Sequence, residues 1–396
     1  MNQMTLRVLP AILLVAFSAK ASAAAFQLWE QNASGLATAY AGSAAVADNA
    51  STVFFNPAGM TQLGGFQFSA GVAAVKPNFE FNNQGSNGVG GNGGNAGSLA
   101  AVPNGYVSLQ LTPQFYLGFG ISAPFGLATE YEDANWVGRV QAIKSEITTV
   151  NYNPSLAYQI NDKVSLGLGI NYQTIDAEMT SATPVGTYRV KGDDAAWGWN
   201  AGALFTLSPA MRVGVSYRSA MDYTLDGTRS VGANSSPAKA DIKLPDTFIL
   251  SVWQQVSDRW EAMGDLSYTH WSTLDKLSIR HATGTDVETF NYDDSWRFAW
   301  GAAYKASDAL KVKFGIAYDR TPVSDSNRSA RVPDNDRIWF SIGGQYSAGK
   351  MGRFDLGYAY LYVKDANINQ SVGLSNLRGS YDNSGHVLGL QYSVGF

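Results

Sequence analysis

From Phe66 to the last residue, apolar and polar side chains alternate with a period of two. Across 164–173, Val164, Leu166, Leu168, Ile170 and Tyr172 fall on one face; Ser165, Gly167, Gly169, Asn171 and Gln173 fall on the other. The pattern recurs over 211–218 and 310–319. It recurs again at the last segment, where Leu388, Leu390, Tyr392, Val394 and Phe396 oppose Gly389, Gln391, Ser393 and Gly395. Such alternation predicts half-buried strands. Fourteen are expected, near 66–80, 101–111, 114–123, 139–160, 163–176, 194–207, 210–225, 240–256, 259–274, 288–305, 309–320, 336–347, 352–363 and 382–396. Short joints, such as Thr112-Pro113, Asn161-Asp162 and Ser208-Pro209, alternate with long ones near 81–100, 124–138, 177–193, 226–239, 275–287, 321–335 and 364–381. A soluble sandwich also alternates, but nothing sorts its connections in this way. An even strand number with short turns at one end and long loops at the other predicts an all-β fold, a fourteen-stranded antiparallel transmembrane β-barrel. In hydrocarbon an unpaired backbone group costs several kcal/mol, so the sheet is expected to close on itself.

One stretch lacks the alternation. Residues 24–63, ahead of the barrel at 64–396, are rich in Ala, Gly, Ser and Asn and contain Asn56-Pro57-Ala58. A small-residue chain packs closely in a confined space, and this one is expected to sit in the lumen as a plug. Residues 1–23 read as a secretory signal peptide: Arg7, an apolar core over 9–17 and the cleavage pattern Ala21-Ser22-Ala23. That core is too short to span a bilayer as a helix, and no later apolar run reaches about 18 residues.

Composition narrows the function classes. The net charge of −4 comes without a basic block, which argues against nucleic acid. There is no cysteine, so no disulfide or thiol chemistry. Abundant aromatics near segment ends, among them Tyr116, Tyr217, Trp260, Tyr358, Tyr360 and Tyr362, suit interfacial girdles.

Few residues offer other chemistry. Gly88, Gly90 and Gly93 match G-x-G-x-x-G, but in a Gly/Asn-rich loop with no helix following, so a loop is expected and not a nucleotide site. Asp334 and Asp336 in a turn are too few for Ca²⁺, which takes six or more oxygens. His270 and Ser272 share a strand face without an evident acid partner, so no catalytic site, cofactor or metal is expected. Ser122-Ala123-Pro124-Phe125-Gly126-Leu127 is open to two readings: a strand end, or a break in the barrel wall, because Pro124 cannot donate to a ladder. Arg297 and Arg337 are expected inside the lumen, either holding a carboxylate or paired with Asp293, Asp294 or Asp336.

Taken together, these pieces resemble the FadL family of outer-membrane transporters of long-chain fatty acids and other hydrophobic compounds. The resemblance rests on Ala24-Ala25-Phe26-Gln27-Leu28, Ser34-Gly35-Leu36, Asn56-Pro57-Ala58, Gly126-Leu127-Ala128-Thr129-Glu130-Tyr131, Trp197-Gly198-Trp199-Asn200-Ala201-Gly202, Leu244-Pro245-Asp246 and Val332-Pro333-Asp334-Asn335-Asp336-Arg337. It implies a bacterial outer-membrane barrel with an N-terminal hatch carrying Asn56, Pro57 and Ala58. It also implies a lateral gate at Ala123, Pro124, Phe125 and Gly126, an inner ligand site near Phe26, and Arg337 as carboxylate partner, with Arg297 a further candidate. Leu127, Tyr131, Trp136 and Val137 are expected to form a first capture site among the external loops. The expected function is passive uptake of hydrophobic molecules, long-chain fatty acids first. The alternatives are aromatic hydrocarbons, since the loops are short for a fatty-acid member, or general diffusion as a porin. The expected partners are a hydrophobic small molecule and outer-membrane lipid, the protein acting as a monomer.

Overall fold

The computed structural model describes residues 25–396; the signal peptide expected over 1–23, and Ala24, lie outside the described residues. Twenty strand segments form one antiparallel sheet. They run β1 (Phe66–Asn83), β2 (Ala100–Gln110), β3 (Phe115–Ser122), β4 (Gly126–Glu130), β5 (Lys144–Asn161), β6 (Val164–Thr183), β7 (Gly186–Ser208), β8 (Met211–Arg218), β9 (Met221–Val231), β10 (Asn234–Leu244), β11 (Thr247–Gln255), β12 (Trp260–Thr269), β13 (Lys276–His281), β14 (Gly284–Thr289), β15 (Ser295–Lys305), β16 (Leu310–Asp319), β17 (Arg337–Ser347), β18 (Arg353–Val363), β19 (Ala366–Val372) and β20 (Ser375–Gly395). Six staves are interrupted once each, as β3/β4, β8/β9, β10/β11, β12/β13, β14/β15 and β18/β19, which makes fourteen staves. The first and last staves pair along the whole of β1, from Gln67↔Gly395 to Asn83↔Gly379, so the barrel is closed.

The alternation places this barrel in lipid. On β6, Leu166, Leu168 and Ile170 point outward, Leu168 being 61% exposed, while Ser165, Asn171 and Gln173 are buried inside. Outward aromatics gather in two rings. One holds Phe115 against Tyr158, Trp260 against Tyr304 and Phe354 against Tyr392; the other holds Tyr172 against Trp197, Trp199 against Tyr217 and Tyr268 against Trp296. On β5 the rings are marked by Tyr158 and Tyr152, a separation along the strand of roughly 20 Å at 3.3 Å per residue, with the outward-facing apolar stretch between them. Tyr116, expected in a girdle, is buried instead, in a cluster with Val53 and Met60.

Beyond the second ring the polarity inverts. Tyr223, Leu225, Ala240, Ile242, Leu277 and Ile279 are buried inside, and Asp222, Thr224, Asp226, Asp241 and Arg280 face out. The barrel wall therefore continues above the membrane. This corrects the expected long loops at 177–193, 226–239, 275–287 and 364–381. Pairing persists there to Thr183↔Gly186, Val231↔Asn234, His281↔Gly284 and Val372↔Ser375, each closed by a two-residue turn. The reversed alternation, and not a loss of strand, disguised these segments. The outer connections without regular pairing are those after β1, after β4 and after β16.

Residues 25–63 contain only short helical turns, at Ala33–Leu36, Thr52–Phe55 and Pro57–Gln62, and are almost wholly buried. Their hydrogen bonds go round the wall. Asn56 Nδ2 donates to Ala203 O on β7 (3.0 Å) and Ala44 N to Ser251 Oγ on β11 (3.0 Å). Ser43 Oγ donates to Asp265 Oδ2 on β12 (2.7 Å), and Arg297 Nη2 on β15 to Ala39 O (2.8 Å). Ala33 N donates to Gln391 Oε1 on β20 (3.0 Å) and Thr61 Oγ1 to Ser165 Oγ on β6 (2.8 Å). At Gly202 and Gly315 the chain comes so near the wall that a Cβ would lie 2.0 Å from Asn56 Oδ1 and 2.2 Å from the Thr38 carbonyl carbon, so only glycine fits. Among the described residues no helix is long and apolar enough to cross a membrane, as expected of a chain that crosses with strands.

Candidate functional site

The inverted face of the upper barrel lines a narrow apolar cavity. Ile147, Met179, Val190, Leu225, Ala240, Ile242, Leu277 and Ile279 come from the wall; Phe290 comes from the break between β14 and β15 and Val332 from the connection after β16, and Phe26 and Leu127 form the side nearest the N-terminal segment. Phe26 meets Trp271 edge-on (centroids 4.9 Å apart) and Phe125 (6.2 Å). Phe26, expected near an inner site, lines this cavity; Leu127, expected in the external capture site with Tyr131, Trp136 and Val137, lines it too and is separate from them, because β4 continues the barrel wall at that position. Above it an open cleft is lined by Gln141, Met179, Tyr188, Ile279, Asp286, Glu288 and Arg331. Met179, Ile279 and Arg331 belong to both spaces, so they stand on the boundary between them.

Arg331 was not singled out in the sequence. It reaches the cavity because the connection after β16 folds inward, burying Arg328, Ala330, Arg331, Val332 and Asp334. Arg331 Nη1 donates to Ser145 Oγ (3.1 Å), and Nε lies 3.4 Å from Glu288 Oε1. Its one sequence signal is the pair of arginines, Arg328 and Arg331, beside Val332-Pro333 in an otherwise polar loop.

Arg337 does not line this cavity. Its Nε donates to Asp334 Oδ1 (3.0 Å), and its Nη2 contacts the same oxygen in a buried ion pair. The internal partner is thus Asp334 and not Asp336, Asp293 or Asp294. Asp334 also accepts from Ala25 N (2.9 Å) and Thr321 Oγ1 (2.6 Å), which ties the described start of the chain to the loop. Arg297 also lies outside the cavity: its guanidinium stacks between Trp29 (4.5 Å to the ring centre) and Trp339 (5.2 Å). Beside it Glu30 is fully buried, and burial pushes its carboxyl up to about 7, against the pull of its own backbone N–H and of Arg337 and Arg297.

Tyr131, Trp136 and Val137, expected as an open capture site, are buried in a closed cluster with Phe79, Phe81, Ile368, Leu377 and Tyr381. Tyr131 stacks on Trp136 at 3.8 Å and shares a 2.6 Å hydrogen bond with Tyr381. Gly90 and Gly93, both with positive φ, lie directly against Trp136, so the glycine motif is packing for this cluster. His270 is bound by Asp246 (3.1 Å) and the Ser272 backbone by Asp294 (3.0 Å); no hydrogen bond joins His270 to Ser272 among the described residues.

The third stave is broken at Ala123–Pro124–Phe125. Pairing of β3 with β2 ends at Gly105↔Ile121, and β4 resumes beside β5, its other side meeting only the connection before β2, through the bridge Gly97↔Thr129 and the bond from Glu130 N to Ala96 O (2.9 Å). Residues 100–104 of β2 pair with β1 but have no strand on their other side. Asn56, Pro57 and Ala58 sit at the other end of the buried segment, where Asn56 Nδ2 also holds Ala44 O (2.8 Å) and its Oδ1 accepts from Ala58 N (3.1 Å).

A lipid-facing closed barrel with a buried N-terminal segment, an apolar inner cavity and an interrupted wall defines an outer-membrane barrel for hydrophobic solutes. The family profile described as outer membrane protein transport protein (OMPP1/FadL/TodX) matches residues 14–396. Outer membrane protein P1 of Haemophilus influenzae is 34% identical over 94% of this chain and 96% of its own length. The long-chain fatty acid transport protein of Escherichia coli K12 is 30% identical over 91% and 92%. A Pseudomonas aeruginosa FadL homologue superposes with a TM-score of 0.88 at 23% identity, covering 94% of this chain and 99% of that one. The Pseudomonas putida toluene transporter TodX gives 0.71 at 17%, over 92% and 98%. The chain belongs to the FadL family of outer-membrane proteins that transport hydrophobic compounds.

Proposed function

We propose that this barrel takes up long-chain fatty acids passively and releases them sideways into the membrane through the broken third stave. The observation that carries the reading is the apolar cavity with one arginine, Arg331, on its outer boundary and the wall break near its floor. An amphiphile would first meet the open cleft, in place of the sealed Tyr131–Trp136 cluster. Its carboxylate would exchange with Glu288 for Arg331, and its chain would enter the cavity. Each buried methylene contributes about 0.8 kcal/mol, so ten contribute roughly 8 kcal/mol before ordering costs. Residues 25–63 act in this reading as the plug that denies water a straight path. The E. coli relative's description as a long-chain fatty acid transport protein supports the substrate class.

A second reading, neutral aromatic hydrocarbons, is favoured by the Phe26–Phe125–Trp271 trio and by the likeness to a toluene transporter. Ala240→Trp, which fills the cavity from the wall, tests the common premise. A correctly folded variant is expected to lose both binding of a fluorescent fatty acid and uptake. Unchanged uptake would remove the cavity from the route.

A further inference from the structure

We infer that Arg218 is a second carboxylate site for the transported amphiphile, deep in the lumen beside the wall break, where the head group rests before it leaves. The inference rests on the proposed fatty-acid uptake. Arg218 is the last residue of β8 and faces inward. The space beside it is internal: a small pocket bounded by Phe54, Phe55 and Ile249 and lined as well by Pro124 and Phe125 of the break. Phe26 lines the apolar cavity above, and its next neighbours, Gln27 and Leu28, line this pocket. The guanidinium donates from Nη2 to Phe54 O (2.9 Å), meets Asn171 Oδ1 through Nη1, and lies over the Phe54 ring (4.2 Å to its centre). Each of these partners is neutral. A buried cation without a counter-charge is costly. Other inward arginines have one: Arg331 has Glu288, Arg337 has Asp334 and Arg328 has Asp325. Among the described residues no carboxylate forms an ion pair with Arg218, and the ionisable group facing it is the Tyr106 phenol.

The wall around Arg218 is built of amides, not acids. Asn151 Nδ2 donates to the same Asn171 Oδ1 (3.1 Å), and Asn171 Nδ2 and Asn153 Nδ2 both donate to Asn200 Oδ1 (2.9 Å each). Asn200 stands directly opposite Arg218 on β7, and its Nδ2 has no partner. Asn151 faces Ser122, the last residue of β3 before the break. The amide row thus ties Arg218 to the lip of the break and brings no negative charge with it. A carboxylate supplies what is missing, and the planar fork of a guanidinium is suited to it. Arg331 touches Thr180 O (3.3 Å) and Arg218 touches Asn171, nine residues away along β6, roughly 30 Å at 3.3 Å per residue. One head group cannot touch both, so the two arginines serve in turn, Arg331 at entry and Arg218 at the break. A neutral hydrocarbon needs neither.

The test is photo-cross-linking, in vesicles, of a long-chain fatty acid carrying a diazirine beside its carboxylate, and of its methyl ester, with the labelled residues mapped. The acid is expected to mark Phe54, Ser216 or Thr247 as well as the apolar cavity, and the ester to mark the cavity alone. Arg218→Met should lose the inner label by roughly tenfold or more and keep the label at Leu277 and Ile279. That variant also removes the bond to Phe54 O, so a second one keeps the arginine. Asn171→Asp gives the guanidinium a resident carboxylate, to which Asn200 Nδ2 can donate, and should lose the inner label to the same degree. Cavity label in the wild type without label at Phe54, Ser216 or Thr247 would overturn the inner site and leave uptake through the cavity standing. Inner label that survives Asn171→Asp, or that the ester gives equally, would overturn the role of the charge and the inference with it. Absence of label in the cavity itself would overturn the proposed uptake, and the inner site would fall with it.

Discussion

Glu30 gives the buried N-terminal segment a dependence on pH that a neutral side chain there would lack. Its carboxyl is fully buried, and among the described residues neither oxygen meets a donor of another residue. The charged and titratable groups facing it are Arg297 on β15, Asp319 on β16, Arg337 on β17 and Tyr40 within the segment. Burial raises the carboxyl from 4.5 to about 7; its own backbone N–H, Arg337 and Arg297 offset part of this, and Asp319 adds to it. The folded segment therefore holds a proton that the solvated carboxyl releases. The resulting stabilisation is fully present below pH 4.5, declines as pH rises, and is gone above about 7. The gap corresponds to about 3 kcal/mol at 1.36 kcal/mol per pH unit. Hydrogen exchange of residues 28–41, corrected for intrinsic rates, is expected to lose roughly fifty- to a hundredfold of its protection between pH 5 and pH 8. Glu30→Gln, neutral and of the same shape, should be flat over this range and as protected at pH 8 as the wild type at pH 5. An unchanged pH dependence in Glu30→Gln, or none in the wild type, would refute the reasoning.

The remaining predictions concern the cavity and the hold of the wall on the segment. Arg331→Met should weaken binding of a fatty acid by roughly ten- to a hundredfold, the worth of one charge-assisted hydrogen bond, and leave toluene binding unchanged; competition titration of the purified protein separates the two. Asn56→Ala removes two donated bonds and one accepted bond. It should cost the segment about 2–3 kcal/mol, seen as faster exchange over residues 44–61 with the barrel still heat-resistant on a gel. Gly315→Leu places a side chain where Thr38 now lies and should displace the segment, raising ion conductance in a planar bilayer; a silent bilayer would contradict the tight packing proposed for the plug.

The sequence carried the wall because lipid imposes a simple demand: Leu166, Leu168 and Ile170 must face out while Ser165, Gly167 and Gly169 face in, and the alternation says so. It carried less above the membrane, where water lies outside and the apolar face turns inward. There Lys276, Ser278 and Arg280 alternate with Leu277 and Ile279 as strictly as any lower strand, but with the opposite sense, in a stretch expected to be a loop. The wall break was half legible: Pro124 announces a missing donor, but whether the strand resumes depends on β5 offering Thr148 and Ile147 to Gly126 and Leu127, which no local pattern states. The site residues divide in the same way. Phe26 came through resemblance and does border the cavity. Arg337 does not border the cavity, and its neighbour three positions earlier, Asp334, takes the guanidinium. Arg331 became visible only once the loop after β16 was seen to fold inward. Glu30 is an ordinary polar residue in sequence, and its meaning comes wholly from burial.

Passage of hydrophobic molecules through the apolar inner cavity is what the proposed uptake depends on. The most direct measurement is photo-cross-linking of a diazirine-labelled long-chain fatty acid to the wild-type protein in vesicles, followed by mapping of the labelled positions. Label is expected on Leu127, Leu277, Ile279 and Val332, competed away by unlabelled fatty acid. Label confined to lipid-facing residues such as Leu168 and Phe340, and insensitive to competitor, would contradict it.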